Sequence, residues 1–448
     1  MFLIRTLVFA TLILTLSLTL VYASTGNQNN LNYGAQNLSL GGASSFTLSN
    51  YFSAAANPAT LGAADVVMLG VGSNLFEPKI KSLDYQREST QSDRGIAGGL
   101  DTSKQRIKNA LLGFVVPIIP GSVSIGFVGL LPIDSLARMY TITTRESHLL
   151  LYNSRDQRPE IYTALGFKLP YNFSLGAGLY YSLKVDGNIQ ASVLPRDALA
   201  RMYIDLKPVL TPYLGLLYKY SDFEIGAFYR DEQSAKAGVN IFVNFELNEN
   251  SSLASVPFTA SSSLIAFFEP RIIGIGSGFK FFNSYKLYFG VQEKMWSKYR
   301  APVILLSGKD LDTLTGGEYE NNKISLNDSY SFHLGVEWNQ PTPRLILNKE
   351  YKLLVRAGIQ RHTSALPESV NSLNIIDSGK TICSLGMGVL SKFTTMKSQE
   401  MKLQFNIGGN VIMLDKKDLQ VRRNSYTTER AKIDGHIFTI MGDIGFEY

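Results

Sequence analysis

Cysteine is nearly missing from this chain of 448 residues, since Cys383 is the only one. One cysteine cannot form an internal disulfide, which excludes the small secreted folds that depend on such bonds. Histidine is also scarce, and none of the four histidines is spaced closely enough with Cys, Asp or Glu to predict a metal site. We therefore expect no bound metal and no other cofactor.

Charge is limited as well: the formal net charge is +6, and charged residues make up 18% of the chain. Lysine and arginine are scattered, with no basic run and no interleaving of basic and aromatic residues of the kind that binds nucleic acid. We expect no nucleic-acid partner. A mildly basic surface instead suits contact with anionic lipid head groups.

Long apolar runs are missing after the first residues. Residues 1–23 are typical of a secretory signal peptide, with Arg5 before an apolar stretch from Leu7 to Val21, and we expect cleavage after Ala23. The alternative is an uncleaved N-terminal anchor. No later apolar run reaches the ~20 residues that a membrane helix needs. With an apolar content of 45%, two classes remain: a secreted β-rich protein and an outer-membrane barrel.

Strict alternation is the strongest pattern that is present. Every odd position from 173 to 185 is apolar or aromatic, and most of the residues between them are small or polar. Side chains on a strand point alternately to opposite faces, so this segment predicts a strand with one apolar face. Several runs reach the ~9–11 residues of a transmembrane strand rather than the ~5–6 of an average soluble strand. Further alternating runs occupy 223–230, 351–360, 401–413 and 438–448.

The connections between these runs fall into two classes that alternate along the chain. Short turns alternating with long loops are typical of an outer-membrane barrel, and their number here predicts about fourteen strands. We therefore predict an all-β fold, a transmembrane antiparallel β-barrel over residues 66–448. The short connections lie near 119–121, 170–171, 220–222, 283–284, 348–349 and 397–398. The long polar ones are 78–105, 134–158, 187–203, 232–269, 298–327, 361–379 and 415–432.

Residues 24–65, which precede the first strand, are rich in Asn, Gly, Ala and Ser and show no lasting strand pattern. Inward side chains already fill a barrel of ~8 strands, so a wider barrel needs something else in its lumen. We expect this segment to be an N-terminal hatch, or plug. Its apolar residues Leu38, Leu40, Phe46, Tyr51 and Phe52 could pack inside the barrel. The alternative is a disordered periplasmic tail.

Residues 34–62 read GAQNLSLGGASSFTLSNYFSAAANPATLG. They resemble the N-terminal hatch of the FadL family, which includes fatty-acid transporters and TodX-type hydrocarbon channels. The family's Gly-Gly-Ala-like turn corresponds to Gly41, Gly42 and Ala43. Its Asn-Pro-Ala triplet corresponds to Asn57, Pro58 and Ala59.

The barrel region resembles the family as well. Residues 207–231 and 270–297 are similar to two of its hairpins. Residues 355–388 resemble a strand-loop-strand in which members carry a Pro-Asp-Ser-Asp-Arg-like motif. Residues 375–380 lack the proline and the arginine of that motif, which leaves Lys380 as the basic residue there.

The resemblance implies passive uptake of hydrophobic molecules, chiefly long-chain fatty acids, by a monomer in the bacterial outer membrane. It implies a gate formed by the hatch, with outer-membrane lipids and lipopolysaccharide as neighbours. It also implies that the substrate leaves sideways near the third strand, about 121–133. Pro132 marks a candidate lateral opening, because proline cannot donate to a strand ladder. The alternative is that Pro132 only ends the strand. The hatch and gating candidates are Gly41, Gly42, Asn57, Pro58 and Ala59.

A fatty-acid carboxylate in an apolar pocket needs a basic partner, because an unpaired buried charge is costly. The candidates are Arg138, Lys298, Arg300 and Lys380, and Arg356 is considered with them. The alternative for each is an ordinary charge of the rim or the lumen.

Two apolar segments, 253–268 and 301–306, predict either a landing surface for lipid or upward extensions of barrel strands. Gly274, Gly276 and Gly278 lie within a strand pattern, so we interpret them as small inward-facing residues and not as a nucleotide loop.

We do not expect an enzyme. His333 should face the lumen, and no motif supports the Ser-His pair that a phospholipase would need. Two alternatives to a transporter stay open: a structural or adhesion barrel, and a lipid-acting enzyme.

Overall fold

The computed structural model describes residues 33–80, 86–88, 106–133, 148–149, 159–193, 198–246, 255–299, 305–307, 326–346, 349–367, 375–394, 400–424 and 427–448. Fourteen antiparallel strands form a barrel, which closes because the first strand pairs with both the second and the last. The predicted fold is therefore confirmed. The strands are β1 (Met68–Ile80), β2 (Ile107–Ile119), β3 (Val123–Pro132), β4 (Glu160–Lys168), β5 (Phe173–Val193), β6 (Ala198–Tyr220), β7 (Phe223–Arg230), β8 (Ile272–Phe281), β9 (Tyr285–Lys294), β10 (Ser329–Asn339), β11 (Lys349–His362), β12 (Lys380–Thr394), β13 (Glu400–Leu414) and β14 (Gly435–Glu447).

Further strands lie outside the fourteen, and all of them except Arg344–Ile346 are at the end of the barrel where the long connections are. A hairpin of Gln233–Glu246 and Ser255–Glu269 stands between β7 and β8, and its first strand runs parallel to the far half of β5. The interpretation of 187–203 and 232–269 as polar loops is therefore wrong. Apolar residues such as Ile189 still alternate with polar ones there, and the paired strands satisfy the backbone. The shorter strands are Gln86–Glu88, His148–Leu149, Leu305–Ser307, Arg344–Ile346, Ile375–Ile376, Lys417–Asn424 and Thr427–Ile433.

The outward face of the barrel is apolar around its whole circumference. Leu175, Leu214, Ile275, Phe289 and Ile407, which come from five different strands, are each 44% to 53% exposed. A water-soluble monomer rarely exposes a continuous apolar belt, whereas a membrane barrel needs one. Aromatic residues project at the short turns, where Tyr171, Tyr220 and Phe282 are the most exposed. This pattern is that of a membrane-spanning wall with an aromatic girdle at one rim.

Helical structure in the described part is limited to short segments. One α-helix, α1, covers Ala35–Ser39. The 3-10 turns are Ala43–Phe46, Ser53–Ala55, Pro58–Ala63, Pro170–Asn172 and Trp296–Lys298. Of the residues that the structure describes, none belongs to a helix long and apolar enough to cross a membrane.

The hatch lies inside the barrel. Its described part, residues 33–66, is mostly buried against the inner wall, as the plug interpretation predicts and the tail interpretation does not. The five apolar residues expected to pack there are each at most 3% exposed. Since α1 and the 3-10 turns are short, the segment follows the curve of the wall instead of crossing the lumen as one long helix.

Candidate functional site: the hatch and the lumen above it

A ring of glycines lines the barrel wall where the hatch lies, with at least one on every barrel strand. A Cβ atom built on any of them would lie 1.9 to 2.8 Å from a hatch atom, so a side chain there would displace the hatch. Gly276 faces inward as predicted, and Phe46 fills the room that it leaves. In order from β1 to β14, this glycine ring is Gly70, Gly113, Gly126, Gly166, Gly176, Gly215, Gly226, Gly276, Gly290, Gly335, Gly358, Gly386, Gly408 and Gly445.

The glycine doublet of the hatch makes a tight left-handed turn after α1. Gly41 has a φ of 61° and Gly42 a φ of 73°, which residues with a Cβ rarely adopt. The Gly42 N–H donates to the Asn37 carbonyl at 3.0 Å and so ends the helix. His333 Nδ1 lies 2.8 Å from the Gly41 carbonyl oxygen, which attaches the turn to β10.

The Asn-Pro-Ala triplet joins two hatch segments to the wall. Asn57 Oδ1 accepts from the Ala59 N–H at 3.0 Å, and Asn57 Nδ2 donates to the Phe46 carbonyl at 2.7 Å. The same Nδ2 also lies 3.1 Å from the Leu216 carbonyl oxygen of β6. Pro58 packs its backbone against Gly176 of β5. Asparagine supplies both the acceptor and the donors that this position requires.

Above the hatch, toward the long connections, two rows of inward-facing residues cross β12, β13 and β14. The isoleucine row consists of Ile382, Ile412 and Ile437, which pair with one another across the strands. The polar row, one inward position nearer the hatch, consists of Ser384, Asn410 and Thr439. All six residues are at least 94% buried. Ser384 Oγ, Asn410 Oδ1 and Thr439 Oγ1 have no hydrogen-bond partner among the described residues, so this part of the wall is amphipathic.

One basic residue, Lys380, lies on the same wall one inward position farther from the hatch than the isoleucine row. Lys380 begins β12, is 8% exposed and pairs across the strands with His362 of β11. The carboxylate of Asp377, three residues earlier, interacts electrostatically with the Lys380 ammonium group. Asp377 also accepts a hydrogen bond from the Ala365 N–H at 2.7 Å. Lys294, the last residue of β9, is also buried at the end of the barrel that carries the long connections.

The other basic candidates are placed differently. Arg138 and Arg300 lie outside the described residues, and Lys298 is exposed on the turn after β9. Arg356 is fully buried at the level of the hatch and forms an ion pair with Glu337, with Nε 2.6 Å from Oε2. Of the candidates in the described part, Lys380 alone lines the lumen above the hatch.

Pro132 is the last residue of β3 and is buried opposite Asn109 of β2. The pairing of β3 with β4 is continuous from Val123 to Leu130. Within the described residues, Pro132 therefore ends the strand and does not interrupt it.

Sequence reasoning missed a cluster of buried tyrosines that holds the start of the hatch. Tyr33 donates to the Glu160 carboxylate at 2.6 Å, and its oxygen lies 2.8 Å from that of Tyr162. Burial, and after it the Glu160 carboxylate, raise the pKa of Tyr33 well above its ordinary value, so its hydroxyl stays protonated. Tyr162 stacks on Tyr180, and Arg230 lies over the Tyr180 ring at 5.3 Å. Spacing alone gives no signal for this cluster, because its tyrosines come from the hatch and from two different strands.

A buried Ser-His pair was also missed. Ser331 Oγ lies 2.6 Å from His362 Nδ1, on neighbouring strands. Catalysis by such a pair usually needs a third group that orients the histidine. Among the described residues, no hydrogen-bond partner reaches His362 Nε2. His333 faces the lumen as predicted, but its ring supports the hatch. The arrangement gives no particular support to a lipid-acting enzyme.

Solved structures share this architecture over almost the whole chain. A Pseudomonas aeruginosa FadL homologue is 13% identical, covers 96% of this chain and 98% of its own, and has a TM-score of 0.54. The chain has the FadL-type barrel fold. The CymD monoaromatic hydrocarbon channel is also 13% identical, with 94% and 98% covered and a TM-score of 0.52. No family model and no curated protein matches the sequence.

At 13% identity, the similarity to these structures concerns the path of the backbone. The roles of individual side chains have to be inferred from their contacts in this structure. The glycine ring, the two luminal rows and the basic residues above them are therefore the features from which a function has to be argued.

Proposed function

We propose that this chain is a channel of the bacterial outer membrane for passive uptake of hydrophobic molecules, and that its substrates are long-chain fatty acids. The chain reaches that membrane by a signal peptide cleaved after Ala23. The apolar outer wall and the lumen plugged by a hatch support this class of function. So do the solved structures of the same fold, which are described as a FadL homologue and a monoaromatic hydrocarbon channel.

The amphipathic wall above the hatch is the observation that carries the choice of substrate. The isoleucine row is already covered by other buried apolar side chains, so an acyl chain could lie along it only by displacing them. Each methylene buried there would contribute ~0.8 kcal/mol. The carboxylate can then reach Lys380 and form a charge-assisted hydrogen bond. A head group on the other side of the isoleucine row would instead meet the three polar atoms of the polar row, which a bare hydrocarbon would leave without partners at a cost. Either position favours an amphiphile with an oxygen-bearing head group.

The route would run from the long connections to the lumen above the hatch, with Gly41, Gly42, Asn57, Pro58 and Ala59 as parts of the gate. Exit would occur sideways near the end of β3 at Pro132, so that an apolar molecule avoids water. The protein would work as a monomer among outer-membrane lipids and lipopolysaccharide.

Uptake of a labelled long-chain fatty acid by cells that lack their own transporter tests the proposal. Wild-type protein should restore uptake, and Lys380→Met should reduce it. Lys298→Met, which removes the same charge from the exposed turn, should leave uptake unchanged. If neither fatty acids nor aromatic hydrocarbons enter at matched outer-membrane levels of protein, the structural or adhesion barrel is the better interpretation.

A further inference from the structure

A chain of hydrogen bonds crosses the wall at the level of the hatch. It consists of Glu337 on β10, Arg356 on β11, Asn406 on β13 and Asp443 on β14, and we call it the charged belt. Arg356 Nε donates to Glu337 Oε2 at 2.6 Å, and another Arg356 nitrogen donates to Asn406 Oδ1 at 2.9 Å. Asn406 Nδ2 then donates to Asp443 Oδ1 at 2.7 Å. All four residues are at most 6% exposed, so water does not screen these contacts.

The backbone is arranged so that the charged belt can form. Glu337 pairs with Arg356 across the strands, and Asn406 pairs with Asp443. Strand β12 lies between the two pairs and presents Gly388. A Cβ atom at Gly388 would lie 2.5 Å from the Asn406 oxygen and 2.9 Å from an Arg356 nitrogen. Glycine at 388 therefore lets Arg356 reach across a whole strand.

The first part of the hatch is bound to this belt. The Ala35 N–H donates to Asp443 Oδ2 at 2.5 Å, and the Tyr51 hydroxyl donates to Asp443 Oδ1 at the same distance. Gln36 Nε2 donates to Glu337 Oε2 at 3.2 Å. The belt contains two carboxylates and one guanidinium, so donors from the hatch complete the solvation of its charges. Burial and the Asp443 carboxylate raise the pKa of Tyr51 well above its ordinary value, which keeps its hydroxyl a donor.

The last part of the hatch is held by neutral contacts. Asn57 Nδ2 reaches the Leu216 carbonyl, and the Ala64 carbonyl accepts from the Gly121 N–H at 3.0 Å and from Ser124 Oγ at 3.3 Å. This part also continues into β1 at Met68, so the chain itself tethers it to the wall. Its attachment would survive the loss of any one hydrogen bond.

We infer that the hatch has a fixed half, residues 57–64, and a releasable half, residues 34–51, and that the charged belt is the latch of the releasable half. Release would uncover the wall from β7 to β14 and at β1 and β2, where Leu40, Phe46 and Tyr51 now lie against the glycine ring. It would break the hydrogen bond from Asn57 Nδ2 to the Phe46 carbonyl, while the contact of Asn57 with the Leu216 carbonyl keeps the Asn-Pro-Ala triplet docked. The latch would regulate the proposed uptake, but it can be tested without any substrate. It also assigns Asp443 and Tyr51 a positioning role that the hatch motifs do not reveal.

Hydrogen exchange on the full chain in detergent micelles, followed by mass spectrometry, tests this inference. Tyr51→Phe keeps the ring and removes only the hydroxyl, and Asp443→Asn keeps the shape and removes the charge. Each should speed exchange in residues 34–51 about tenfold or more, which is what the loss of a buried hydrogen bond to a charged group produces. Exchange in 57–64 should stay at the wild-type rate.

Asp231→Asn is the matched control. It removes an ion pair in which an Arg271 nitrogen lies 2.8 Å from Asp231 Oδ1, at the ends of β7 and β8 that point away from the hatch and the charged belt. This variant should change neither half of the hatch. Unchanged exchange in both latch variants, or acceleration of both halves together, would overturn the inference. If exchange in 34–51 is faster in both latch variants but the wild type takes up no fatty acid, the latch is supported and the proposed substrate is rejected.

Discussion

Asn57 and Gly215 fit together so closely that a Cβ atom at position 215 would lie 2.0 Å from Asn57 Oδ1. The contact joins the hatch to β6, and the other glycines of the ring do the same on the remaining strands. The barrel wall is therefore shaped to the hatch one strand at a time.

Gly215→Ala should weaken the docking of the hatch by about 1–3 kcal/mol, because the added methyl group overpacks a tight contact. We expect limited proteolysis to cleave the hatch faster than in the wild type. Gly442→Ala serves as the control, since a Cβ atom there meets nothing closer than 3.8 Å. Equal cleavage of the two variants would mean that the glycine ring does not hold the hatch.

Asn57→Ala should raise the ion conductance of the barrel in planar bilayers. It removes the acceptor for the Ala59 N–H and the donors to the Phe46 and Leu216 carbonyls, and each buried group left unpaired costs about 1–3 kcal/mol. Asn57→Asp keeps the acceptor and should give an intermediate conductance. Conductance at the wild-type level in both variants would show that the triplet does not keep the lumen closed.

The polar row should set the preference between amphiphiles and bare hydrocarbons. A Ser384→Ala, Asn410→Leu, Thr439→Val variant replaces its polar atoms by apolar ones of similar size. We expect weaker binding of a long-chain alcohol and stronger binding of the matching alkane in a competition assay. Lys380→Met should instead weaken binding of the fatty acid and spare the alcohol. If the triple variant ranks the ligands as the wild type does, the row does not contact the substrate.

Alternation along the chain was enough to predict the barrel, because one face of each strand must meet lipid. The motif at Asn57 likewise predicted the hatch. The charged belt was beyond sequence reasoning, since Arg356, Asn406 and Asp443 meet only when β12 presents Gly388 between them. The glycine ring left a readable signal, a glycine within each alternating run, but its meaning depends on strand register.

In the outer hairpins, the sequence led to a wrong prediction of loops. Residues 187–203 and 232–269 contain enough polar side chains to suggest loops, yet most of them are paired strands. Polarity indicates exposure to water, and a strand that leaves the membrane can be polar and still be paired.

A reversible lock on the hatch tests the central claim of gated uptake most directly. A Cβ atom at Gly278 lies 3.3 Å from Thr47 Oγ1, so a Thr47→Cys, Gly278→Cys pair is within reach of a disulfide. In a Cys383→Ser background, we expect the oxidised protein to take up labelled fatty acid no better than cells without it, and reduction to restore uptake. Equal uptake in the oxidised and reduced states would contradict the account.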